Sequence, residues 1–129
     1  MTDRDELAVF GVDVVEEVAA DHDLSSDRLA DVARAHQSTV RDAPGVDTLV
    51  YEWRNYFHLD PMLAHTDDAY YLAVPDHVWE EFAGGIDADD GELRALRALH
   101  DRQARRDAET VGLDAGRFDG DEAILLVRP

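Results

Sequence analysis

The chain contains no cysteine and no lysine. Without cysteine it can hold neither a disulfide nor a thiolate-bound metal, and covalent chemistry would fall to serine. Only Ser25, Ser26 and Ser38 are present. All three sit at helix-start or surface positions in the sequence pattern, and none has the GxSxG setting of an activated nucleophile. Phosphate-cradling loops are also missing. Gly84–Gly85 and Gly116–Gly120 follow neither P-loop nor dinucleotide spacing, which argues against a nucleotide enzyme. No apolar run approaches the ~20 residues that cross a bilayer. Met1 to Glu6 is acidic and lacks a basic region ahead of an apolar one, so no signal peptide is expected and the expected location is cytoplasmic, away from membranes.

What the chain has in excess is acid. Thirty aspartates and glutamates face twelve basic residues, every one an arginine, giving a formal net charge of -18 over 129 residues. Such a surface repels itself in dilute buffer. At 1 M salt the Debye length is only ~3 Å and neighbouring carboxylates hardly sense one another. Arginine suits that setting, since its planar, weakly hydrated fork bridges carboxylates that lysine would meet as a point charge. The composition resembles that of halophilic archaea and implies a salt-loaded cytoplasm. With 45% hydrophobic residues and ten aromatics, the chain is too apolar for disorder. Its length fits one globular domain, residues 1–129, with a real core.

Apolar spacing in the first half is helical. Leu7, Phe10, Val14, Val15 and Val18 recur at that period, and Asp13 with Glu16 has the capping-box pattern. A second helix starts at Ser25 or Ser26 and buries Leu29, Val32, Ala33, His36 and Val40, until Ala43, Pro44 and Gly45 break it. Asp47 is placed to cap a third helix with Leu49, Val50, Trp53 and Phe57 inward. After the Asp60–Pro61 break, Met62 and Leu63 read as a single turn. Ala69 to Val74 reads as a strand. Pro75 opens a helix carrying Val78, Trp79 and Phe82. Asp89 and Glu92 form a capping box for the longest helix, which ends near Val111 with Gly112 as its cap. Ala123 to Val127 reads as a closing strand. The expected fold is α+β, mostly helical, with about five helices and a two-stranded sheet laid on Trp53, Phe57, Trp79 and Phe82.

Three stretches, Val50 to Arg54 (VYEWR), Asp60 to Pro75 (DPMLAHTDDAYYLAVP) and Asp76 to Phe82 (DHVWEEF), resemble a small haloarchaeal family of acidic domains. The resemblance covers about a quarter of the chain and implies no activity, cofactor or catalytic residue.

Candidate sites are of four kinds. Tyr51, Tyr56 and Tyr71 lie off the main apolar faces, where tyrosine favours interfaces because it joins a large contact area to a polar tip. Arg94, Arg97, Arg102, Arg105 and Arg106 give the long helix a basic ridge that could dock an acidic partner or nucleic acid, although the pairs Asp90 with Arg94, Asp101 with Arg105, and Arg105 with Glu109 would explain much of it by i,i+4 contacts. Ala19 to Leu29 has helix-turn-helix character, with Arg28, Arg34 and Arg41 as DNA contacts, opposed by Asp27 and Asp31 on the same face and by aspartate at the turn position usually held by glycine. His58, His65 and His77, near Asp60, Asp67, Asp68, Glu80 and Glu81, are candidate metal ligands for a hydrolase, but no HExxH or complete HD-type set is present. His36 and His100 lie on apolar faces and read as buried, hydrogen-bonded core residues. The leading expectation is a small non-enzymatic accessory or protein-interaction domain, without a cofactor, that binds a protein partner or itself. A DNA-associated regulator and a metal-dependent hydrolase are the alternatives.

Overall fold

Ala69–Val74 and Glu122–Val127, two short apolar runs rich in residues that suit a pleated surface, pair antiparallel in unbroken register from Ala69↔Val127 to Val74↔Glu122. The computed structural model describes residues 5–42 and 45–128. In chain order the elements are α1 (Val12–Asp21), α2 (Ser26–Asp42), α3 (Val46–Tyr56), β1 (Met62–His65), β2 (Ala69–Val74), α4 (Asp76–Ala83), α5 (Asp90–Val111), a 3-10 turn (Ala115–Asp119) and β3 (Glu122–Val127). The fold is α+β and mostly helical. The sheet order is β1-β2-β3, all antiparallel.

The expected two-stranded sheet is therefore corrected to three. Met62 and Leu63 form β1 rather than a helical turn. Pro61 accepts from the Ala73 amide at 2.8 Å, the Thr66 amide donates to Ala69 at 2.9 Å, and the Thr66 hydroxyl receives the amides of Asp68 and Ala69. A register irregularity between Met62 and Ala64 interrupts the alternation in a strand of only four residues, so no period of two is visible there.

Two helix starts also differ from expectation. Gly11 caps α1, and Asp13 instead pairs with Arg106. Gly45, at φ 97°, caps α3, while Asp47 accepts the Tyr70 hydroxyl at 2.6 Å. The Ala43–Pro44 helix break lies outside the described residues. The α5 capping box forms in full, and Gly112 ends that helix at φ 78° in the left-handed region that glycine tolerates.

α5 packs on β3, and α1 and α2 pack on α5. The predicted inner face of α2 is buried throughout. Of the four aromatics expected to carry the sheet, Trp79 is buried, whereas Trp53, Phe57 and Phe82 pack against the core half-buried. The outer edge of β3 meets no further strand among the described residues. Its backbone groups bond to helix side chains: Gln37 donates to Leu125 at 2.7 Å and accepts from Val127 at 2.9 Å, His100 Nδ1 accepts from Leu125 at 2.9 Å, and Trp79 donates to Ala123 at 3.3 Å. Three helices thus do for this edge what a fourth strand would do.

Candidate functional site

α3 buries only Val46 and Val50 along its length. Its two tyrosines stay in solvent, while Trp53 is half-buried against the core. Tyr51 is 69% exposed and Tyr56 77%, and Leu59 just beyond the helix is 66% exposed. Tyr56 meets Phe57 edge-on at 5.3 Å, which extends the aromatic surface around the helix end. The segment is held in place by Arg54, which donates from Nε and Nη2 to the two oxygens of Asp60 at 3.1 and 2.9 Å, while Asp60 also accepts the Met62 amide. This fork ties the end of α3 to the start of β1.

Tyr51 and Arg54 stand between two adjoining hollows. One, of about 300 Å³, reaches toward Met62, His65, Tyr70 and Arg128. The other, of about 420 Å³, reaches toward Phe57, His58 and Asp60. The Arg128 guanidinium lies 5.0 Å over the Tyr70 ring, and the Tyr70 hydroxyl is engaged by Asp47. The surface mixes tyrosine rings and their hydroxyls with charged side chains and the Arg54–Asp60 ion pair, a combination suited to protein contact.

Tyr71, grouped with Tyr51 and Tyr56 in the sequence reading, is elsewhere. It is 5% exposed, and its hydroxyl donates to Asp107 at 2.8 Å. Burial, and then that carboxylate, push its pKa well above the ordinary tyrosine value. β2 is covered on both faces, so a residue opposite Leu72 is no freer than Leu72 itself.

Four of the five ridge arginines of α5 are spent on the fold. Arg97 pairs with Asp76 and Glu122, Arg102 with Asp21 and Glu17, Arg106 with Asp13, and Arg105 with Asp119 as well as Asp101. Of the three expected i,i+4 pairs only Asp101 with Arg105 is present among the described residues. The other arginines reach across to α1, α4, β3 and the 3-10 turn. Arg94 makes no ion pair among the described residues.

The DNA candidates do not form one reading surface. Arg28 forks onto Glu92, with Nη2 to Oε1 at 3.0 Å, and also donates to the Asp87 carbonyl. The Arg28 fork holds the Glu92 carboxyl down at about 2. Arg34 lies 3.5 Å from Asp31. Arg41 is half-buried, with Nε and Nη2 enclosed and unpartnered. Asp23 does occupy the left-handed turn position between α1 and α2, at φ 56°, a conformation aspartate tolerates better than most residues.

His58, His65 and His77 are each exposed. No three His, Asp or Glu side chains converge to hold an ion among the described residues, so the three candidate ligands are not brought together. His36 and His100 are fully buried, with ring centroids 5.2 Å apart. His100 is hydrogen-bonded as expected. His36 is not: neither of its nitrogens has a partner.

Gln37 and Gln103 carry much of the internal polar chemistry and were not singled out in the sequence. Gln103 accepts the Gly11 amide at 2.9 Å and donates to Asp107, which in turn holds Tyr71. Their only signal was glutamine at positions where helical spacing calls for apolar side chains.

No curated protein and no solved structure matches the chain. A family model described as Domain of unknown function (DUF8048) matches residues 8–128, and the chain belongs to that family.

Proposed function

We propose that this domain is a small, non-enzymatic accessory protein of a halophilic cytoplasm that works by binding another protein or a second copy of itself. The observation that carries the reading is the exposure of α3 and of the turn after it, where Tyr51, Tyr56 and Leu59 are all left in solvent. Exposed tyrosines offer large contact area with a polar tip, the chemistry enriched at protein interfaces. Serine chemistry has little room beside it, because Ser25 accepts the Arg28 amide at the start of α2 and Ser38 is bonded to Glu6. The acidic composition, with arginine as sole cation, supports the salt-rich setting.

The test is sedimentation velocity in molar potassium chloride, with and without clarified native extract, comparing the parent with Tyr51→Ser/Tyr56→Ser. Both side chains are exposed, so the fold should survive. A parent that sediments as a complex, and a variant that needs at least tenfold more protein to do so, is the expected result. Identical behaviour of the two proteins removes α3 as the binding face. Duplex DNA binding that disappears in Arg28→Glu/Arg34→Glu would replace this reading with a DNA-associated regulator.

A further inference from the structure

A second surface lies away from α3. Leu7, Phe10, Val12, Val15 and Ala30 floor an open trough of about 540 Å³ between the segment preceding α1, α1 itself and the first turns of α2. That volume falls within the range of roughly 300–1,000 Å³ usual for ligand sites. Val12 is 75% exposed, whereas the other valines of α1 are buried.

Charge along α1 is sorted by face. Asp13, Glu17 and Asp21 recur every four residues and so form one row, and this row is met by Arg106 and Arg102 of α5. Glu16 lies on the other side, in the trough, together with Asp5 and Asp27. Among the described residues none of these three carboxylates has an arginine partner and no arginine lines the trough. The fold therefore neutralises the acids that face α5 and leaves those rimming the trough to be met from outside.

We infer that this trough is a docking site for a basic amphipathic helix of a partner protein. Helix-in-groove recognition lays apolar anchors into a groove between existing elements, and the small Ala30 permits close approach. Partner cations would then fall beside Asp5, Glu16 and Asp27. In concentrated salt the apolar floor supplies most of the attraction, because screening weakens the charge contribution; the carboxylates select the sign of the partner.

The probe is a fluorescent synthetic helix of about 18 residues, or five turns, with leucine on one face and arginine on the other. Binding is read by anisotropy in molar potassium chloride. The expected result is saturable one-to-one binding that weakens at least tenfold in Glu16→Gln/Asp27→Asn and in Val12→Gln. It should persist in Glu80→Gln/Glu81→Gln, which removes exposed acid elsewhere, and in Tyr51→Ser/Tyr56→Ser, which keeps this site distinct from the α3 face. Three results overturn the inference: no binding by the parent, equal binding of the same helix with glutamate replacing arginine, or equal loss in the α4 control, which would mean diffuse attraction to acid. Parent dimerisation that the trough substitutions abolish overturns it too, assigning the trough to a second copy.

Discussion

His36 lies in a fully apolar and aromatic setting, with Trp79 at 4.9 Å, Phe82 at 4.6 Å and His100 at 5.2 Å between ring centroids, and with no hydrogen bond to either nitrogen. Burial lowers its pKa from the ordinary value of about 6.5 to about 3. His100 is also lowered, first by burial and then by the neighbouring His36. Because Leu125 donates to His100 Nδ1, the neutral ring must carry its proton on Nε2. Both histidines fold uncharged, so below pH about 6.5 the unfolded chain takes up protons that the folded chain refuses. Stability is complete above that pH and falls as the pH drops toward 3, by up to about 1.4 kcal/mol per pH unit for each histidine. Urea unfolding at pH 7, 6 and 5 in constant high salt should show this decline, and His36→Leu should be the more stable protein at pH 5 with a shallower dependence. Parallel curves for the two proteins would mean that His36 is not held neutral. Helical spacing made both burials legible in the sequence. It could not reveal that one ring finds a backbone amide 25 positions away and the other finds nothing.

Among the elements, those with long or repeated local signals were the legible ones: α2 and α5 from apolar period and caps, β2 and β3 from compact apolar runs. β1 was not, since a four-residue strand with an irregular register offers no pattern to count. The starts of α1 and α3 were misplaced because Asp13 and Asp47 resemble caps locally, yet each is claimed by a distant partner, Arg106 or Tyr70. β3 shows how much one such distant contact carries. Gln37 of α2 holds both the Leu125 carbonyl and the Val127 amide. Gln37→Leu keeps the volume similar and leaves two buried backbone groups without partners, each worth about 1–3 kcal/mol. Thermal unfolding of this variant should show a loss of about 2–6 kcal/mol, and hydrogen exchange at the Val127 amide, which loses its acceptor, should accelerate. A loss near zero would show that the edge is satisfied without Gln37.

The whole molecule carries a net charge of -18, and its arginines are arranged to tie elements together rather than to form a basic patch. Arg28 joins α2 to α5, Arg102 and Arg106 join α1 to α5, and Arg97 joins α5 to α4 and β3. The candidate ridge was visible in the sequence, but its partners were not, because they lie on other elements. The exposed Tyr51 and Tyr56 were legible, being off the inner face of α3; the trough on α1 was not, since it exists only once α1, α2 and the preceding segment meet. With unpaired acid remaining on the surface, salt removal should unfold the domain. Helical circular dichroism should fall progressively between molar and millimolar potassium chloride, and a signal unchanged in dilute buffer would contradict that expectation. The side-chain closure of β3 has a further consequence, for synthesis on the ribosome. α2, α4 and α5 are translated before the strand whose backbone they grip, and Gln37 precedes its two partners by 88 and 90 positions. The grip on β3 can therefore form only once residues 122–127 have left the exit tunnel, which makes the locking of the three helices the last step in the order of synthesis.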